Sequence, residues 1–231
     1  MLKVRWRKRN NVMNVNSSRA LLRMLERRGM KVNELSPGEM SEDYLGYLQG
    51  QGIVRLNQGV LYVTDPVRLA IEAIKLGVDV ETASRWLNWR DFERLCVEAL
   101  RSHNFSVKAP FRFKADGKRH EIDVVAHKKN VVLCIDCKHW KMKRGQQYRI
   151  KGFTMNHLDK CVKFAELVKS SRVVKLELHS GAYLVPMIVT LIDLDFKHHL
   201  NGVWILPIFK LNSFLLDLEA HLDELSLIKV R

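Results

Sequence analysis

At 231 residues the chain is long enough for one large domain or two small ones, and its 47% apolar content is that of a folded protein. The net charge of +14 is gathered in two blocks: residues 1–31 hold ten bases and one acid, and residues 101–175 hold nineteen bases and six acids. Such blocks suggest a polyanion-facing surface, nucleic acid first and an anionic membrane second. The membrane reading is disfavoured, because no run approaches the roughly 18 apolar residues of a membrane helix and no strongly basic amphipathic helix with a large aromatic face occurs.

The opening MLKVRWRKRNN is basic, but no apolar segment follows it, so a secretory signal is not expected. An organelle transit peptide is placed second, because Ser17–Arg28 already has a helical pattern. The expected location is the cytoplasm or the nucleoid. Residues 1–16 then form a basic arm. From Ser17, Leu21, Leu22 and Leu25 share one helix face while Arg19, Arg23 and Arg27 take the other, and Gly29 ends the helix. Ser41–Gln49 fits a second helix. IVRLNQGVLYVT is two short strands around Asn57–Gln58–Gly59, and Asp65–Pro66 opens a helix over Val67–Leu76. Helix, helix, hairpin, helix in this order resembles a winged helix-turn-helix module over residues 17–78. That resemblance implies Ser41–Gln49 as recognition helix and Arg55–Tyr62 as wing. Against DNA contact, this helix carries Glu42 and Asp43 and no base, so a docking domain is an equal alternative.

Residues 79–88 fit a connecting helix, and a second domain spans 89–231. Arg90–Ser102 has an apolar face of Phe92, Leu95, Cys96, Ala99 and Leu100. Strands are expected around Phe105–Val107 and Phe111–Phe113, then a hairpin of Ile122–Ala126 and Val131–Ile135. A helix over Ile150–Lys169, strands at Ala182–Asp193 and Val203–Ile208, and a closing helix over Asn212–Leu225 complete an α/β fold around a mixed sheet. The stripe Leu211, Leu215, Leu218, Leu222, Leu225 would cover the sheet or form a homodimer seam. The four cysteines do not make a disulfide framework. Strand alternation sends Cys134 and Cys137 to opposite faces, wrong for a shared metal.

The stretch HEIDVVAHKKNVVLCIDCKHW places Glu121, Asp123, Asp136 and Lys138 among apolar strand residues. An even-numbered turn within His127–Asn130 sets Asp123 opposite Cys134. Asp136 is then its diagonal neighbour, Lys138 follows on the same face, and Glu121 lies opposite Asp136. Paired carboxylates repel unless a cation stands between them. Mg²⁺ suits such hard oxygen ligands and keeps waters for chemistry, and Lys138 could hold charge growing on a phosphorus. An exposed Asp136–Lys138 salt bridge at a strand end is the plain alternative.

Asp123, followed by Asp136–Cys137–Lys138 at the end of an apolar strand, resembles the PD-(D/E)xK nuclease superfamily, the restriction-endonuclease-like fold. Phe92–Glu93 at the start of a helix is similar to the Mrr-like and archaeal resolvase-like branches. The resemblance implies Glu93, Asp123 and Asp136 as metal ligands and Lys138 as the catalytic lysine, with Mg²⁺ as cofactor and Mn²⁺ substituting. A glutamine of some branches falls on Gln146 or Gln147. The departures are His120–Glu121 where the Mrr-like branch has glycine, and Asp136 in place of the commoner Glu. With no cysteine after Cys161, the iron–sulfur cluster of some members is not expected. The basic run from Lys138, with Lys141, Lys143, Arg144, Gln147, Arg149 and Lys151 interleaved with Trp140 and Tyr148, suits phosphate contact and base stacking. The expected activity is Mg²⁺-dependent endonucleolytic cleavage, of DNA before RNA. The alternatives are a nucleic-acid-binding protein with a silent nuclease-like domain, or an RNA-processing nuclease of the same fold.

Overall fold

The computed structural model describes residues 15–139, 148–170, 181–194, 199–221 and 227–230. The chain divides into two compact units, the second beginning at Asn88.

In the first unit, α1 (Val15–Arg27) buries Ala20, Leu21, Met24 and Leu25. Its opposite face holds Arg23 and Arg27, which donate to Glu39 at 2.5 Å and Glu34 at 2.7 Å. The left-handed residue after the helix is Arg28 (φ 59°), and Gly29 instead opens β1 (Gly29–Lys31), a strand too short to announce itself in the sequence. A 3-10 turn at Val32–Glu34 leads to α2 (Glu42–Gly50), whose Tyr44 amide donates to the Ser41 side chain at 3.2 Å. The hairpin of β2 (Val54–Asn57) and β3 (Val60–Val63) turns through Gln58 and Gly59, both at positive φ, as a tight two-residue turn requires. Asp65 caps α3 (Pro66–Lys75), and α4 (Val80–Ser84) follows. The three strands form one sheet in the order β1-β3-β2.

The second unit opens with α5 (Trp89–Ser102), capped by Asn88, followed by β4 (Ser106–Lys108). Next comes a two-stranded ribbon, β5 (Phe111–Ala115) and β6 (Lys118–Ile122). Then β7 (Val124–Lys128) and β8 (Val131–Lys138) form the hairpin, with Lys129 at φ 54° in its turn. The long helix α6 (Tyr148–Lys169) crosses to β9 (Tyr183–Thr190). Two more strands follow, β10 (His199–Leu200) and β11 (Val203–Pro207). The expected closing helix starts earlier and breaks, as α7 (Ile208–Leu216) and α8 (Leu218–His221), and β12 (Ile228–Lys229) ends the described chain. Leu211, Leu215 and Leu218 are buried within the chain, whereas Leu222 and Leu225 lie outside the described residues.

The mixed sheet runs β10-β11-β9-β8-β7-β4, with β12 also on β9. β8 is its centre, parallel to β9 and antiparallel to β7, and its first six residues are buried. A strand covered on both faces has no solvent side, which explains its continuous apolar run. On one face Val132 and Cys134 pack with Cys161 and Phe164 of α6. On the other, α5 lies against β8, β4 and β7. Phe164 also anchors the ribbon, its ring centroid 4.7 Å from Phe111 and 5.7 Å from Phe113. Because Phe164 is fully buried, Phe164→Ala should destabilise this unit by about 3–5 kcal/mol, read as a lower midpoint in urea unfolding.

Candidate active site

The site forms where the ribbon meets the sheet. β6 ends at Ile122 and β7 starts at Val124, so Asp123 is the bend between two pairings. The register Val124↔Ile135 carries one step on to set position 123 across from Asp136, where Cys134 was expected. The cause is where the two-residue turn falls, at Lys129–Asn130, one residue later than a turn centred on Lys128–Lys129. A shift of two leaves face parity intact, so Asp123, Asp136 and Lys138 still share a face.

The contacts are short. Asp123 Oδ2 accepts from the Cys137 backbone N–H at 2.8 Å, and its carboxyl also hydrogen-bonds the Asp136 carboxyl. Lys138 Nζ lies 2.5 Å from Asp136 Oδ2 and 5.7 Å from the centre of the Phe153 ring. The Asp136 and Lys138 side chains are only 8% and 22% exposed, which rules out the exposed strand-end salt bridge. Burial first, and then the charge of Asp136, push Asp123 up to about 6; the Cys137 amide and Lys138 pull the other way. Glu93, on the first turns of α5, is raised to about 7, again by burial first and then by Asp123, Glu121 and Asp136, with Lys138 opposing.

Glu93 thus faces the pair through its field, and it has no hydrogen-bond or ion-pair partner among the described residues. Glu98 does not compete for this place, being exposed and 3.1 Å from Arg101. Glu121 is not opposite Asp136 as expected. The bend at Asp123 carries it onto the ribbon, where its register partner Arg112 contacts it at 2.5 Å. The cysteines split as strand alternation demands: Cys134 hydrogen-bonds Cys161 on α6, and Cys137 hydrogen-bonds Cys96 on α5. Of the basic run, Arg149 and Lys151 are exposed at the start of α6. Lys141, Lys143, Arg144, Gln146 and Gln147 lie outside the described residues.

One buried group near the pair was not expected. His157 on α6 is 2% exposed, with Nε2 2.9 Å from the Cys134 carbonyl oxygen and Nδ1 buried without a partner. Its helical spacing with Ile150, Thr154, Cys161 and Phe164, all buried, was the signal that could have placed it.

Among the described residues no three His, Cys, Asp or Glu side chains gather as a ready cage for a metal. The donor set nevertheless fits Mg²⁺, which needs one or two carboxylates and retains water on its other positions. Two acids held in contact, one of them with its charge disfavoured, form such a two-carboxylate seat.

A nuclease-related site is what these residues suggest, and residues 88–190 match the family model of the nuclease-related domain, NERD. An uncharacterized protein of Archaeoglobus fulgidus is 32% identical over 138 residues, 60% of this chain and 97% of that one. The chain belongs to the family of that archaeal protein, with the nuclease-related domain in its second unit. Two solved structures show weaker likeness. A Vibrio cholerae protein is 14% identical with a TM-score of 0.37, covering 92% of this chain and 56% of that one. Can2 from Sulfobacillus thermosulfidooxidans, solved in complex with cyclic tetra-adenylate, is 14% identical with a TM-score of 0.38, covering 89% and 51%. The chain spans about half the length of these solved chains, and likeness of this degree carries no argument about activity. No helix among the described residues is long and apolar enough to cross a membrane.

The raised acids predict a pH dependence of stability. Their folded values, about 6 for Asp123 and about 7 for Glu93, exceed the ordinary values of 3.8 and 4.5. The folded state therefore binds more protons, and the stabilisation is full below the ordinary values and lost as pH rises through the folded ones. In chelator, the contribution of this site should fall between about pH 4 and pH 7. Thermal melts with and without Mg²⁺ check it: the added ion should raise Tm more at pH 8 than at pH 5.

Proposed function

We propose that this protein is a Mg²⁺-dependent endonuclease that hydrolyses phosphodiester bonds, in DNA before RNA. The observation that carries the reading is the buried Asp123–Asp136 carboxyl pair with Lys138 ion-paired to its second member. Asp123 and Asp136 would hold the cation, and Glu93, which feels the charge of both, is the further ligand the nuclease resemblance implies. When bound, the ion would polarise the phosphate and acidify a water.

The chain's own residues supply the rest. Asp136 orients the Lys138 ammonium, and the Cys137 amide fixes one oxygen of Asp123. The Lys138 ammonium is ion-paired with Asp136 and lies 5.7 Å from the centre of the Phe153 ring. It suits stabilising the negative charge that develops on the phosphoryl oxygens better than taking a proton from water. Burial excludes competing water from Asp136 and strengthens these interactions. Arg149 and Lys151, exposed on the helix that follows the lysine, suit backbone contacts. The proposed role of the first unit is to position the substrate.

The test is a cleavage panel on labelled duplex, single-stranded and branched DNA and RNA with Mg²⁺, Mn²⁺ or chelator. Asp136→Asn should lower the cleavage rate by about 10³-fold, a loss of about 4 kcal/mol of transition-state stabilisation. Lys138→Ala should lower kcat by about 10²–10³-fold yet keep divalent-ion affinity in calorimetry. Wild-type rates from folded Asp136→Asn would end the metal-site reading. Folded wild-type protein that cuts nothing in the panel would leave the binding-protein reading in its place.

A further inference from the structure

The β5–β6 ribbon has two unlike faces. Register pairs Phe111 with Ile122 and Phe113 with His120, and these turn inward, where Phe111 and Phe113 meet Phe164 of α6. The alternate pairs turn out to solvent: Arg112 opposite Glu121, and Lys114 opposite Arg119. At the tip, Asp116 reaches Lys163 of α6 at 3.7 Å. The ribbon is therefore held from within and at its end, while its outer face is basic.

Like charges directly across a strand pair destabilise it. Lys114 and Arg119 are such a pair, and neither has an ion-pair partner among the described residues. The acid on that face, Glu121, is already engaged by Arg112. A cavity of about 900 Å³ runs along the ribbon, walled by Lys108, Arg112, Lys114 and Arg119 of the basic face and by Phe111 and Phe113 of the inner one. That is room for a stretch of polymer rather than for one small ion. The ribbon also leads straight into the site, since Asp123 follows β6 directly. Four residues of strand separate Arg119 from Asp123, about 13 Å, which is the axial rise of about four nucleotides.

We propose that the outer face of the β5–β6 ribbon is a phosphate track that holds the sugar–phosphate backbone of nucleic acid as it approaches Asp123 and Asp136. It rests on the reading of the protein as a nucleic-acid enzyme and adds where the polymer lies. Lys114 and Arg119 contact phosphates several nucleotides from the bond to be cut. Their mutual repulsion falls when a polyanion spans them, so the pair is more stable with substrate bound than without. These contacts are to backbone, so they act on all sequences alike.

The experiment measures binding of the full chain to a fluorescein-labelled duplex and single strand by anisotropy across a salt series, in chelator so that nothing is cut. Lys114→Ala/Arg119→Ala is compared with Lys129→Ala/Lys229→Ala. The control removes the same charge at the β7–β8 turn and β12, the end of the sheet away from Asp136. The track predicts about tenfold weaker binding for the ribbon variant and a duplex salt slope reduced by about 1.8, two phosphates at 0.9 each. The control should bind within about twofold of wild type. Relieved of repulsion, the ribbon variant should melt at the wild-type temperature or above it. Equal affinities for ribbon variant and control, or no binding by wild type, would overturn the track. Cleavage with Mg²⁺, measured in parallel, separates the two proposals. Wild type that binds through the ribbon but does not cut removes the nuclease reading alone, whereas a ribbon variant that binds and cuts normally removes the track alone.

Discussion

Two carboxyl groups in contact cannot both be fully charged unless a positive group stands with them. In this protein the contact between Asp123 and Asp136 is built into the backbone, and much of the second unit reflects that constraint. A strand amide is given to Asp123, and a lysine is placed two residues beyond Asp136 to share its charge. Even so, burial first and then the neighbouring carboxylates make Asp123 hold its proton more tightly than an ordinary aspartate, and Glu93 more tightly than an ordinary glutamate. A cation bound there, as proposed above, would relieve that repulsion.

The pair is kept in place by two different structures. Asp136 belongs to the central strand, covered on both faces and tied to β7 and β9. Asp123 belongs to neither the ribbon nor the hairpin but to the bend between them. One acid is thus fixed by the core of the sheet and the other by the angle at which the ribbon leaves it. Phe164, packed against the ribbon's inner aromatic residues, connects that angle to the long helix. Packing well away from the carboxylates therefore bears on their separation.

Parity was legible in the sequence and register was not. Any even turn puts Asp123, Asp136 and Lys138 on one face, so their convergence could be read from alternation alone. Which residue lies opposite Asp123 depended on where the turn is centred, and a turn at Lys129–Asn130 moved the partner from Cys134 to Asp136. The same alternation foretold that Cys134 and Cys137 part company across the sheet. What escaped was the break at Asp123. Lys118–Ile122 has the composition of a strand, and nothing in it says that its partner is β5 rather than β8, so Glu121 was placed beside the wrong acid. β1 and β12, at three and two residues, carry no periodicity to detect. The closing helix read as continuous because its leucines continue past Asp217, where the chain turns to start α8.

The parallel pairing of β8 and β9 has a consequence for how such a protein can diversify. Parallel neighbours cannot be joined by a tight turn, so the chain must leave the sheet and return by a long crossover, here containing α6. It leaves at Lys138, the last residue of the strand that carries Asp136. Insertions or changes of charge in the connection to α6 therefore need not shift the pairing of a single strand. Selection can vary that connecting sequence while the two acids and the lysine keep their positions in the sheet.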